Sequence, residues 1–461
     1  MSTLFLRRAH RRSVALAAAG SAALVLTACS GGVTGGAPAA EGATSDGAAA
    51  PSAEACAGTI DVVLHQHDPL KAAMDALAAK FQEENPDAQF EFTYVPTENF
   101  ANVRNARLTA GDIDITEGNS SGATREQPEY VKGIPQSDWI SGIEAGLWTE
   151  LQGDYLDNFA PGVMDALEYQ GKHYAVPTGI SFVTGLYYNK DMFEKYGLEQ
   201  PTTWDEFVDV LQTLKDNGET PIIMGGAEKW PVGLLMEGVA SSSIEDMPAF
   251  VEGLWTGEIG FDDPEAVEIL EKLKTLYSFA EPTFPGISAS TVTASFVNEE
   301  AAILPDGTWG AQGVIKGEPD FEWGYFPLPG SDDPEANSIL RGKLETNLAI
   351  PANAEDKDCA LKFFEFYSQP ENYQLYVTEN GVMPTQPDME TTEFFESIEQ
   401  YTGEEGFAPA WGTVFFPNPA AGVNVRVGFP YDQNAPMGTE GDMQALADAS
   451  QAAWEAALPK E

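Results

Sequence analysis

His65-Gln66-His67-Asp68 is the densest group of ligand-type side chains in a 461-residue chain that has only four histidines. On an extended backbone His65 and His67 point to the same side. Two imidazoles so placed bind a metal when further ligands join them, and Asp68 and Glu117 are of the right kind. The other reading is that the group ends a strand. Open α/β sheets bind ligands outside such strand ends, where His65 and Asp68 would hydrogen-bond a polar solute. Gly118-Asn119-Ser120-Ser121-Gly122 has the spacing of a nucleophile elbow. A hydrolase of that kind needs an acid and then a histidine downstream, and His173 is the only histidine after Ser120. A short Gly/Ser loop behind a strand accounts for the spacing better. The chain has no phosphate-binding Gly loop, dinucleotide Gly motif, Cys-x-x-Cys or His-Glu-x-x-His, so no cofactor is expected. Among 72 Asp and Glu residues no catalytic pair stands out, and a glycoside hydrolase is carried only as an alternative.

The aromatic residues are the positive signal. Trp230 in "GGAEKWPVG", Trp309 in "LPDGTWG" and Trp411 in "APAWGTV" each sit beside Gly or Pro, away from the middle of a helix stripe. Such rings stack on the apolar faces of sugars while polar neighbours bind the hydroxyls. Each ring alone suits a core equally well.

The elements that would hold these groups are α/β in pattern. "TIDVVL" (59–64) and residues 89–95 read as strands, and 112–115 as a third. Helices are expected over 70–85, where Leu70, Ala73, Met74, Leu77, Ala78 and Phe81 form one stripe, and over 100–110, ending at Gly111. A helix over 201–218 has a capping box at Thr203 and Glu206 and a stop at Gly218. Further helices are expected over 266–279, 360–367 and 444–458, while 407–437, rich in Pro, Gly and aromatics, resists assignment.

Composition narrows the class. Lys and Arg number 24 against 72 acidic residues, a formal net charge of −48, which argues against nucleic acid as a partner. Residues 1–28 have a basic start (Arg7, Arg8, Arg11, Arg12) and a short apolar run, the outline of a secretory signal peptide. Leu26-Thr27-Ala28-Cys29 matches the bacterial lipobox, in which the signal is cut before the Cys and the thiol is lipidated. Residues 30–55 are Gly, Ala, Ser and Pro, the composition of a flexible tether. The expected product is a domain lipid-anchored at Cys29 on the extracytoplasmic face of the cell membrane. Cys56 and Cys359 remain; in an oxidising compartment they form a disulfide or stay as two buried thiols.

The run "GKHYAVPTGISFVTGLYYNKDMFEKYGLEQPTTWDEF", residues 171–207, resembles the extracellular solute-binding proteins of ABC transporters, in the maltose/oligosaccharide-binding family. The resemblance extends in order through "KFQEENPDAQFEF" (80–92), "FVNEEAAILPDGTWG" (296–310), "YFPLPG" (325–330) and "ENGVMPTQ" (379–386). It implies a periplasmic-binding-protein-like α/β fold, two lobes joined by a hinge with a ligand cleft between them. The first lobe would comprise residues 56–177 plus about 326–367, the second about 178–325 plus 368–461, with crossings near Pro177, Trp323 to Pro327 and Ser368. It also implies a monomeric, non-enzymatic protein that delivers a small-molecule carbohydrate to an ABC permease. By position Asp68 matches a family cleft residue after the first strand, and Trp309, in the run Asp306-Gly307-Thr308-Trp309 whose Asp306 joins the candidate site, matches a stacking aromatic. Glu117, Asn119 and Ser120 fall in the loop after the third strand, Phe182 and Trp230 in second-lobe loops, and Lys343 and Glu345 beside the returning strand. His65 joins them on the strand-end reading and Trp411 as a late aromatic. The stretch around 415–438 departs from the usual helical tail.

Overall fold

Strand β1 (Ala57–His65) is the first element of the computed structural model, which describes residues 56–119, 123–403, 407–422, 428–430 and 441–459. It pairs in parallel with β2 (Asp87–Val95), Ala57 opposite Asp87 and His65 opposite Val95, and on its other side with β3 (Ile115–Glu117). β10 (Leu348–Ala349) lies antiparallel between β3 and β4 (Ala175–Val176), completing the order β2-β1-β3-β10-β4. The helix between β1 and β2, Asp68–Glu84, buries Leu70, Ala73, Met74, Leu77, Ala78 and Phe81, the stripe its spacing predicts. It starts two residues earlier than expected because Pro69, which lacks an N–H, suits the first turn.

The second lobe is built on β6 (Gly185–Asn189), flanked antiparallel by β7 (Ile303–Pro305) and β8 (Trp323–Pro327). Alternation along β6 sends Tyr187 and Leu186 into different apolar clusters. One cluster runs from the first-lobe strand β1 (Val62) and helix Asp68–Glu84 (Leu77, Phe81) past the crossover strands to Tyr187, Phe296 and Tyr325. The other fills the rest of the second lobe around Phe207, Leu235, Phe250 and Trp454. In the helix Trp204–Asp216 the Thr203 hydroxyl accepts the Glu206 N–H, and the Glu206 carboxylate reaches back to the Thr202 N–H at 2.8 Å.

A small sheet, β5 (Ile180–Phe182), β9 (Arg341–Leu344) and β11 (Ala408–Pro409), stands next to the crossings. The chain leaves the first-lobe sheet after β4, at Pro177. The return crossing is between β9 and β10, around residues 345–347, where Glu345 N–H donates to Gly179 O at 2.9 Å. It is not at Trp323 to Pro327, which is second-lobe strand. The last crossing also comes later than Ser368. The helix Pro370–Asn380 packs along Asp68–Glu84 in the first lobe, and the chain then pairs Met383 with Ile180. Tyr373 and Tyr376, both buried, give that helix an apolar face that only the first-lobe core can cover. Cys56 and Cys359 are joined as a disulfide, tying the start of β1 to the helix Lys357–Tyr367. Among the described residues no helix is long and apolar enough to cross a membrane.

Candidate functional site

β1 and β3 are neighbours, so their carboxyl ends bring His65 and Glu117 together. Glu117, buried, receives both the His65 Nδ1 at 2.6 Å and the His65 N–H at 3.0 Å on one oxygen. Burial alone would lower the His65 pKa; the Glu117 hydrogen bond and charge outweigh it and raise it. The His67 ring stacks against His65 at 6.0 Å and is pushed down to about 4, first by burial and then by His65. It bonds to the Trp309 backbone, so it touches the other lobe as a neutral ring. β9 adds a charged row by alternation: Arg341, Lys343 and, just past its end, Glu345 are half-buried, while Gly342 and Leu344 face inward. Burial pushes the Glu345 carboxyl up, but Lys343, the Ser181 hydroxyl and the two imidazoles bring it below its ordinary value.

The second-lobe wall starts where β7 ends. The Asp306 carboxylate accepts the Gly307 N–H at 2.9 Å and the side chain of Trp309. Burial still pushes it up to about 7. Gly307 is required because a Cβ there would fall 2.3 Å from the Trp309 ring. Trp230 opens the helix Trp230–Ser243 and is 40% exposed, and its ring centre lies 6.2 Å from that of Trp309 with the planes tilted by 59°. Both rings line a cavity of about 560 Å³ walled by both lobes. Its carboxylates are Asp68, Glu98, Glu228 and Asp306, and no Lys or Arg is among its described lining residues. With His67 neutral, this cavity is acceptor-rich and aromatic, a surface for hydroxyl donors and ring faces and a poor one for anions.

Asp68, Trp230, Asp306 and Trp309 thus meet in one cavity, and His65, Glu117, Lys343 and Glu345 form a charged group beside it. Asn119 serves its own loop, its side chain donating to Ala123 O at 2.6 Å and its N–H to Asn347 Oδ1 at 3.0 Å. Ser120 and Cys29 lie outside the described residues. Two expectations are corrected. Phe182 is fully buried on β5 in the larger core, and Trp411 is fully buried among Phe250, Phe415 and Phe429. Each ring has its apolar surface satisfied by protein and presents none to a solute. As to the metal reading, among the described residues no three His, Cys, Asp or Glu side chains are grouped to hold an ion.

Glu237 escaped the sequence reading. Two turns along from Trp230, it accepts the Gly412 N–H at 2.7 Å and faces Lys343; burial pushes it up to about 7. Nothing in "GLLMEGVA" marks this Glu among 72 acidic residues; only its place in an otherwise apolar helix was a cue.

The family model described as bacterial extracellular solute-binding protein matches residues 66–374. The multiple sugar-binding protein of Streptococcus mutans is 27% identical over 325 residues, 69% of this chain and 73% of its own. The melibiose/raffinose/stachyose-binding protein of Bacillus subtilis is 22% identical over 352 residues, covering 74% and 77%. Among solved structures, the solute-binding protein RafE in complex with raffinose superposes with a TM-score of 0.71 at 20% identity, over 87% of this chain and all of that one. A chitin oligosaccharide binding protein gives 0.69 at 22% identity, over 87% and 99%. At these identities the structural likeness establishes the two-lobed fold, and the match to the family model runs from the β1 strand end through both lobes. The chain belongs to the family of bacterial extracellular solute-binding proteins.

Proposed function

We propose that the protein is the lipid-anchored, non-enzymatic receptor of an ABC importer, capturing a carbohydrate between its lobes and presenting it to a membrane permease. The observation that carries this is the Trp230–Trp309 pair beside Asp68 and Asp306 in a cavity walled by both lobes. Tilted aromatic rings offer faces to pyranose or furanose rings, and carboxylate oxygens accept hydroxyl hydrogen bonds. The sugar-binding names of the sequence relatives support the same ligand class. Anchoring rests on the Cys29 motif, and capture on closure of the lobes about the hinge at residues 177–179 and 345–347.

The test is a thermal-shift screen of the purified protein against neutral saccharides, uronic acids, polyols and divalent metals. A ligand at about 100 times its Kd adds about 2.7 kcal/mol. Stabilisation by neutral saccharides and not by uronic acids is expected. Stabilisation by metal alone would replace this reading with one centred on His65 and His67.

A further inference from the structure

The segment between β3 and the helix Asp138–Glu144 does more than connect two first-lobe elements. It is fixed to the first lobe at Thr124, whose N–H donates to Ala166 O at 2.7 Å and whose hydroxyl accepts Trp139 Nε1 at 3.1 Å. The next residues leave that lobe. Val131 is buried in the second-lobe cluster, and Tyr130 and Ile134 pack against the same cluster. Gly133 has φ +76°, and a Cβ there would fall 2.5 Å from Pro459. The chain is back in the first lobe by Trp139.

Arg125 stands at the point of departure. Its guanidinium donates to Val414 O at 2.6 Å and Phe415 O at 3.4 Å and lies 4.1 Å over the Phe416 ring. The receiving segment is second-lobe structure: Trp255 Nε1 donates to Phe416 O at 3.1 Å, Trp411 N–H to Ser241 Oγ at 2.9 Å, and Gly412 N–H to Glu237. Ser241 and Trp230 lie at opposite ends of one helix, about 16 Å apart at 1.5 Å per residue. The segment that Arg125 meets is thus fastened to that helix at Glu237 and Ser241, one and two turns or more beyond the cavity end.

We propose that residues 125–134 are a strap that holds the two lobes together through the 411–416 segment, outside the residues that line the tryptophan cavity, with Arg125 as its positioning residue. Arg125 is not among the described residues that line the cavity. Its two carbonyl bonds and its stacked plane exist only while the 411–416 segment stands in this position against the first lobe. The strap therefore adds stability to this arrangement of the lobes and none to one in which they have moved apart. A receptor whose binding-competent form is populated before ligand arrives has an apparent Kd lowered in proportion to that population.

The test compares the full chain with Arg125→Ala and Arg125→Lys, measuring solution scattering without ligand and raffinose affinity by calorimetry. The expected result is a larger ligand-free radius of gyration for Arg125→Ala and about a tenfold higher Kd, equivalent to about 1.4 kcal/mol. Arg125→Lys, which keeps the charge and loses the planar fork, falls between. A merely structural arginine would lower the melting temperature and leave both readouts unchanged, and that result overturns the proposal. If Arg125→Ala does not fold, Arg125→Lys and hydrogen exchange of the unaltered protein decide. The Val131 amide, bonded to Pro128 O, is expected to be protected without ligand, and rapid exchange there overturns the strap. The affinity measurement rests on the carbohydrate reading; scattering and exchange do not, so if raffinose fails to bind, those two readouts decide the strap.

Discussion

Asp306 offers a test in which stability and binding move in opposite directions. Its carboxyl has an ordinary value of 3.8 and is held at about 7 by burial, against the opposing Gly307 and Trp309 hydrogen bonds. The unfolded chain gives up this proton from about pH 4 upward, while the folded protein keeps it to about pH 7. Stability from this residue is therefore fully present below pH 4 and is lost as pH rises to 7. At about 1.4 kcal/mol per pH unit the gap is worth about 4 kcal/mol, and partial access of solvent to the side chain reduces this to about 2–4 kcal/mol. Asp306→Asn does not titrate and keeps an oxygen to accept the Gly307 N–H and the Trp309 side chain. Guanidinium unfolding at pH 4 through 8 should therefore show the variant matching the parent at pH 4 and exceeding it by about 2–4 kcal/mol at pH 8. Saccharide affinity at pH 8 should fall, because a charge-assisted acceptor worth about 1.5–3 kcal/mol becomes a neutral one. A stability difference that is the same at every pH would refute the assignment of Asp306 as a buried carboxyl held for a ligand.

Other substitutions separate site from scaffold. Trp230→Ala removes a ring that is 40% exposed, so affinity should drop about 3- to 10-fold, matching an aromatic contribution of about 0.5–1.5 kcal/mol, while the melting temperature stays nearly constant. Trp411→Ala should do the reverse, costing about 3–5 kcal/mol of unfolding free energy as a core truncation, read by chemical denaturation. Reduction of the Cys56–Cys359 bridge, which spans 303 residues of sequence, should lower unfolding free energy by about 2–5 kcal/mol with saccharide affinity unchanged in the protein that remains folded.

Local signals in the sequence carried the elements whose physics is local. The stripe of Asp68–Glu84, the Thr203 cap and the glycine stops reproduce in the structure to within a few residues. The helix Trp230–Ser243 was missed because it is buried on nearly all sides and has no polar face to set a period. The helix Pro370–Asn380 was assigned to the wrong lobe because its partner, Asp68–Glu84, lies about 300 residues earlier and no spacing links them. In the site, Trp309 and Trp411 have the same local setting, a tryptophan beside glycine; one lines the cavity and the other is sealed behind Phe250 and Phe415. Only the packing of distant segments distinguishes them. Glu237 and Arg125 were illegible for the same reason, since what defines them is a partner contributed by residues 411–416.

Isothermal titration of the purified protein with raffinose and other neutral saccharides, followed by chromatography of the recovered sugar, bears most directly on the central claim. The account predicts saturable one-to-one binding that quenches or shifts tryptophan fluorescence through Trp230 and Trp309, with the sugar returned chemically unchanged. Recovery of shorter products would identify a hydrolase, and absence of binding across the saccharide panel would contradict the carbohydrate assignment.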